Sequence, residues 1–192
     1  MLKAYRYKLN PNKSQRYALA RTLDICQELY NDALYERKMH RMSCYDQIKE
    51  LPAVKEAFPV HKKVYSQVLQ DVLIRLDKAF QNFFRRCKTG GALGFPRFKG
   101  KNRYDSFTYP QGGFSLDGEI LSLSKIGNIK VHLSRPLPDN AVVKTCTIKR
   151  AVDGWFATLS CGYSDNADHN GAVNILARSE PSFANVGAVM LA

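Results

Sequence analysis

Near residue 94 the spacing of apolar side chains changes, and that change limits the fold more than any other feature of the 192-residue chain. Before it, apolar residues recur every three or four positions, the period of a helix with one buried face. After it they alternate, the period of a half-buried strand. Blocks of each period in one chain predict an α+β fold. The two blocks meet in Gly94–Gly113, where aromatic and cationic residues are interleaved.

The helical block has two strong stripes. Asn12 followed by Gln15 has capping-box spacing, so a helix is expected to start there. Leu19, Leu23, Cys26, Tyr30 and Ala33 form its apolar stripe, and the pattern runs to about Met42. Ser43 is placed to cap a short helix ending before Pro52, and Pro59 marks another break. From Ser66, a broad stripe includes Leu69, Val72, Leu73, Leu76, Phe80, Phe83 and Phe84, all expected in the core. Arg85-Arg86-Cys87-Lys88 followed by Gly90-Gly91 is the expected C-terminal signal.

The alternating block predicts short strands. Asp117-Gly118, Gly127-Asn128 and Asp153-Gly154 are the expected turns. Strands at this spacing suggest a small barrel or sandwich. Residues 2–9 also alternate, and a strand with no local partner is expected to join that sheet. The helices would then be an insertion after the first strand. Lys130, His132, Lys144, Lys149 and Arg150 are expected to point outward and extend a positive surface.

Charge decides which partners to consider. The chain carries 29 Lys+Arg against 17 Asp+Glu, a formal net charge of +12. A polyanion would relieve the self-repulsion, with nucleic acid the first candidate and an anionic membrane the second. No segment is long and apolar enough to span a bilayer, and the charged start does not match a signal peptide. A cytoplasmic location is therefore expected. The 5 cysteines form no Cys-x-x-Cys pair, which argues against a disulfide framework and a complete zinc site.

The joint between the blocks is the candidate binding segment; the alternative is a basic loop whose aromatic side chains anchor it to the core. Phe95, Phe98, Tyr104, Phe107 and Tyr109 offer flat faces, and Arg97, Lys99, Lys101 and Arg103 offer charge beside them. Phosphates attract the cations and bases stack on the rings. Arg6 and Lys8 add a basic face on the first strand.

Lys3 to Pro11, Gly94 to Gly113 and Asp168 to Leu176 stand in an order that resembles the TnpB family, transposon-encoded RNA-guided DNA endonucleases related to type V CRISPR effectors. Lys3 to Pro11 looks like the family's opening strand. Gly94 to Lys99, with Ser106-Phe107 and Pro110-Gln111-Gly112-Gly113, looks like its central signature and adds Gln111 to the binding residues. Asp168 to Leu176 looks like its last nuclease motif.

The resemblance implies an oligonucleotide-binding-like β-barrel from residues 1–11 and 94–160. It also implies an inserted helical recognition lobe at 12–93, a remnant of the zinc ribbon and last nuclease motif at 161–178, and a tail at 179–192. It implies a guide-like RNA and DNA as partners. The family cuts with magnesium held by three carboxylates and carries a structural zinc.

Here Asp168 alone matches the catalytic carboxylates, as a vestigial residue, and Cys161 is a lone zinc-ribbon remnant. An internal deletion is expected to have removed most of the nuclease domain. No metal or other cofactor is then expected, because one carboxylate cannot clamp two metal ions and one cysteine cannot build a zinc site. The leading expectation is a nucleic-acid-binding protein without nuclease activity. The alternatives are a nuclease completed in trans and a general RNA-binding module.

Overall fold

The computed structural model describes residues 2–91, 94–137 and 142–162. The chain begins with strand β1 (Leu2–Asn10), followed by helices α1 (Lys13–His40) and α2 (Cys44–Ala57), a 3-10 turn (Pro59–Lys63) and α3 (Ser66–Thr89). Six strands follow: β2 (Ser106–Tyr109), β3 (Phe114–Asp117), β4 (Ile120–Leu123), β5 (Gly127–His132), β6 (Val142–Ala151) and β7 (Gly154–Gly162). The fold is α+β.

All seven strands form one antiparallel sheet in the order β2-β6-β7-β1-β5-β4-β3. β1 lies at its centre, between β7 and β5, with Tyr5 opposite Leu159 and Leu9 opposite Val131. The three helices are thus inserted between a central strand and an edge strand. Among the described residues the ladder is open: it ends at β2 and β3, and no pairing joins them into a closed barrel.

Alternation assigns one face of the sheet to the core. Tyr7, Leu9, Phe107, Tyr109, Ile148, Trp155, Ala157 and Leu159 are buried. α3 and α1 pack against the edge strand β2, and Tyr109 of β2 meets Phe114 of β3 with ring centroids 6.3 Å apart. Val68, Leu69, Val72, Leu73 and Leu76 of α3 are buried, as are Leu19, Leu23, Cys26 and Leu34 of α1. Arg37 ties the helices together. Its guanidinium donates to Gln47 of α2 at 2.7 Å and to Asp77 of α3 at 2.9 Å.

Both predicted caps are present. Asn12 and Gln15 form a reciprocal capping box on α1, and Ser43 and Asp46 form one on α2. α2 does not stop before Pro52 but runs through it. Pro52 forfeits one backbone bond from an exposed position, while its neighbour Leu51 is buried and anchors the turn. Of the Phe cluster on α3 only Phe80 packs against the core. Phe84 is 56% exposed and Phe83 is half-buried, because α3 outruns the sheet at its C-terminal end.

Turn positions shift by a residue or two from expectation. Asp117 pairs with Ile120, which leaves Gly118-Glu119 as the loop. Ala151 pairs with Gly154, so Val152-Asp153 is the loop there. Leu123 pairs with Gly127, and the bend lies at Ser124-Lys125-Ile126.

Parity also corrects one cation. Lys149 and Arg150 are consecutive in β6, so they cannot share a face. Lys149 points outward. Arg150 is level with buried Trp155 and donates to Asn102 Oδ1 at 3.2 Å.

The Gly112-Gly113 turn has a steric cause. Tyr65, just before α3, stacks on Tyr109 with ring centroids 5.7 Å apart. A Cβ on Gly113 would lie 2.5 Å from the Tyr65 ring, and Gly113 has φ +79°. Gly113→Ala should therefore lower stability by about 2 kcal/mol or more, since overlap adds to backbone strain. Gly118→Ala, at φ +52° with nothing near its Cβ, should cost only about 1 kcal/mol. Urea unfolding of the two variants checks the difference.

Candidate nucleic-acid interface

The joint is strapped to the helices by its backbone. Asn31 of α1 accepts from the Lys99 N–H at 2.8 Å and donates to the Lys99 carbonyl at 2.9 Å. Gln27 donates to the same carbonyl at 2.8 Å. Arg86 of α3 donates to the Gly94 carbonyl at 3.0 Å. These bonds use main-chain atoms of the joint and leave its side chains available.

The cations of the joint largely face solvent. Arg97, Lys101 and Arg103 are exposed. Lys99 is half-buried, with Nζ 5.8 Å from the Tyr30 ring centroid. Lys99 and Arg103 line a cleft of about 260 Å³ with Arg75, Tyr30 and Tyr104. Gln111 is exposed, as are Arg6 and Lys8 on the outer face of the sheet. Lys130, His132 and Lys144 are exposed as well.

The aromatic residues divide into two groups. Phe95 is 42% exposed and Phe98 51% exposed, with Lys38 Nζ 5.7 and 5.4 Å from their ring centroids. Phe95 also packs edge-on against Phe80 and Phe83 at 5.3 and 5.2 Å.

Tyr104 and Phe107 do not offer stacking faces. They are 7% and 1% exposed, and Tyr109 is buried with them. Phe107 and Tyr109 are inward residues of β2, packed beneath α3. Tyr104 packs against Tyr30 at 6.1 Å, and burial pushes its hydroxyl well above the usual tyrosine range. The nucleic-acid roles assigned to Tyr104 and Phe107 are therefore corrected to core roles.

Asp168 lies outside the described residues. Cys161 is buried on the inner face of β7, and burial raises its thiol pKa. Among the described residues no three His, Cys, Asp or Glu side chains come together as a metal site. No described helix is long and apolar enough to cross a membrane.

One cavity has the opposite character to the joint. It has a volume of about 590 Å³, lies between α1 and α2, and is rimmed by Glu28, Asp32, Glu36 and Glu50. Those carboxylates would repel a polyanion.

Sequence reasoning missed Asn31, Gln27 and Lys38. Asn31 and Gln27 find their partner about 70 positions away, which no local pattern encodes. Lys38 had a weak signal, as one of several cations in the last turn of α1.

Together these features define an α+β protein in which a cationic connector is pinned to a helical insertion beside a sheet with a basic outer face. The family profile described as a helix-turn-helix domain, of the OrfB–IS605 type, matches residues 1–41. In this chain those residues form β1 and the single long helix α1.

Two relatives extend the likeness. One, from Escherichia coli (strain K12), is provisionally named RNA-guided DNA endonuclease InsQ. It is 30% identical over 168 residues, covering 82% of this chain and 40% of the relative. The other, from Streptomyces pristinaespiralis, is provisionally named RNA-guided DNA endonuclease. It is 31% identical over 171 residues, covering 83% of this chain and 41% of the relative. The chain belongs to the TnpB family. It spans about two-fifths of the length of these relatives.

Burial also sets thiol reactivity. Cys26 and Cys146 are enclosed, and burial pushes both thiols up to about 12. Cys87 is exposed. In the folded protein at about pH 8 a thiol reagent should label Cys87 quickly and spare Cys26 and Cys146 until unfolding. Peptide mapping of the labelled protein reads this directly.

Proposed function

We propose that this chain binds RNA and DNA in the manner of a TnpB-type protein, and that by itself it does not cut them. The observation that carries the binding reading is the connector: its backbone is pinned by Asn31, Gln27 and Arg86, while Arg97, Lys101 and Arg103 stay exposed. Fixing the backbone lowers the ordering cost of binding, and the free cations release counterions from phosphates. The relatives' provisional names supply the RNA guide and the DNA target.

In this reading the sheet is the oligonucleotide-binding-like part and α1–α3 the recognition lobe. The nuclease part is interrupted by an internal deletion between Ser160 and Cys161, and Asp168 is what remains of its last motif.

Binding of a structured RNA should weaken steeply as salt rises. Replacing Arg97, Lys99, Lys101 and Arg103 together by Gln should reduce the slope of log K against log salt by about 3–4 if each meets one phosphate. The melting temperature should change little, because three of the four side chains are exposed and carry little stability. Fluorescence anisotropy across a salt series, with a thermal melt beside it, makes both measurements. A large drop in melting temperature would assign these cations to the fold instead.

Cleavage is the second test. The purified chain, with co-purifying RNA, magnesium or manganese and a matching DNA, should leave the DNA intact. Cutting that disappears in Asp168→Ala would overturn the non-cutting reading.

A further inference from the structure

The outer face of the sheet carries one cross-strand row that the sequence motifs do not reveal. Register places Ser106 of β2 beside Lys149 of β6, Lys149 beside Phe156 of β7, Phe156 beside Lys8 of β1, and Lys8 beside His132 of β5. Strands lie about 4.8 Å apart, so Lys149 to His132 spans roughly 14 Å. On one side of this row come Thr147, Thr158 and Arg6. On the other come Ala151 and Gly154, with the Lys8 stem lying beside Gly154, and then Asn10 and Lys130.

Phe156 is the unexpected member. It is only half-buried, and among the described residues it is the sole Phe, Tyr or Trp on the outward positions of these five strands. The Arg6 guanidinium carbon lies 3.9 Å from its ring centroid, the separation of two surfaces in contact. Lys149 meets Asp105 at 3.3 Å, but both are half-exposed, and such a pair yields readily to a competing anion. Phosphates alone would make use of the cations and gain nothing from the ring. A base uses the ring, and base faces are available only where the strand is unpaired.

Resting on the nucleic-acid reading above, we propose that this row is a platform for single-stranded nucleic acid. A short unpaired stretch crosses β6, β7, β1 and β5, with one base stacked on the Phe156–Arg6 pair. Lys149, Lys8 and His132 hold the phosphates on either side. Helical stretches of the same molecule make no use of Phe156.

The test compares a short unstructured oligouridylate with a perfectly paired RNA duplex in anisotropy titrations. Phe156→Leu keeps apolar bulk and removes the π-face, while Phe156→Tyr keeps both. Phe156→Leu should weaken single-strand binding about tenfold, leave duplex binding within about twofold and leave the salt slope unchanged, whereas Phe156→Tyr should bind as the wild type. Lys8→Gln and Lys149→Gln should each reduce the single-strand salt slope by about 0.7.

Wild-type binding with an unaffected Phe156→Leu variant overturns the platform and leaves the nucleic-acid reading standing. Equal losses for single strand and duplex overturn it too. A wild-type protein that binds neither RNA overturns both.

Discussion

The contact between α3 and the edge strand β2 holds the two halves of the molecule in register. Arg75 reaches out of α3 and donates to the Ser106 carbonyl at 2.8 Å and to the Thr108 hydroxyl. Its Nε stands 2.6 Å from Asp71 on the same helix, a close ion contact. Burial raises the Asp71 pKa and the Arg75 charge opposes that rise. An edge strand exposes unpaired backbone groups that invite pairing with other chains. Here α3 covers that edge with a guanidinium, so one side chain both docks the helical insertion and blunts the edge. Tyr65 completes the contact from the start of α3, lying on Tyr109 and against Gly113.

That contact also explains what was legible in the sequence. The helices, their capping boxes and the strands after residue 114 follow from period and turn chemistry, which are local. β1 joining the sheet was legible because an isolated strand needs a partner. β2 was hidden inside the connector. Ser106-Phe107-Thr108-Tyr109 alternates cleanly, but the same four residues also fit a segment of interleaved aromatic and cationic side chains. Burial separates the two meanings: Phe95 and Phe98 precede the strand and stay exposed, while Phe107 and Tyr109 point inward beneath α3. The inward turn of Arg150 was available from strand parity alone. The bonds of Asn31 and Gln27 to Lys99 were not, because they depend on how α1 packs.

Charge is sorted over this fold. The inner face of the sheet is buried in the core, so its outer face is left for Arg6, Lys8, Lys130, His132 and Lys149. The carboxylates Glu28, Asp32 and Glu36 recur every four residues along α1 and meet Glu50 of α2 at a separate cavity. A net charge of +12 is tolerable when like charges are spread over several strands rather than concentrated in one helix, because water and salt screen them over roughly 8–10 Å. The same spacing suits a polyanion that can follow the face from strand to strand.

Topology gives the insertion a further consequence. β1 is central, yet its longest partner is β7, paired from Leu2 opposite Gly162 to Leu9 opposite Trp155. The sheet cannot close around its middle until the last strand is present. The helical insertion has no such requirement: α1, α2 and α3 follow one another and meet through Arg37, Gln47 and Asp77. Local contacts form faster than distant ones, so the helices can assemble while the sheet still lacks its centre. Arg75 and Tyr65 would then already be displayed on α3 when β2 arrives. The connector's cations reach their final places only when both halves have docked, since Asn31 and Arg86 belong to one half and Asn102 is held by Arg150 of the other.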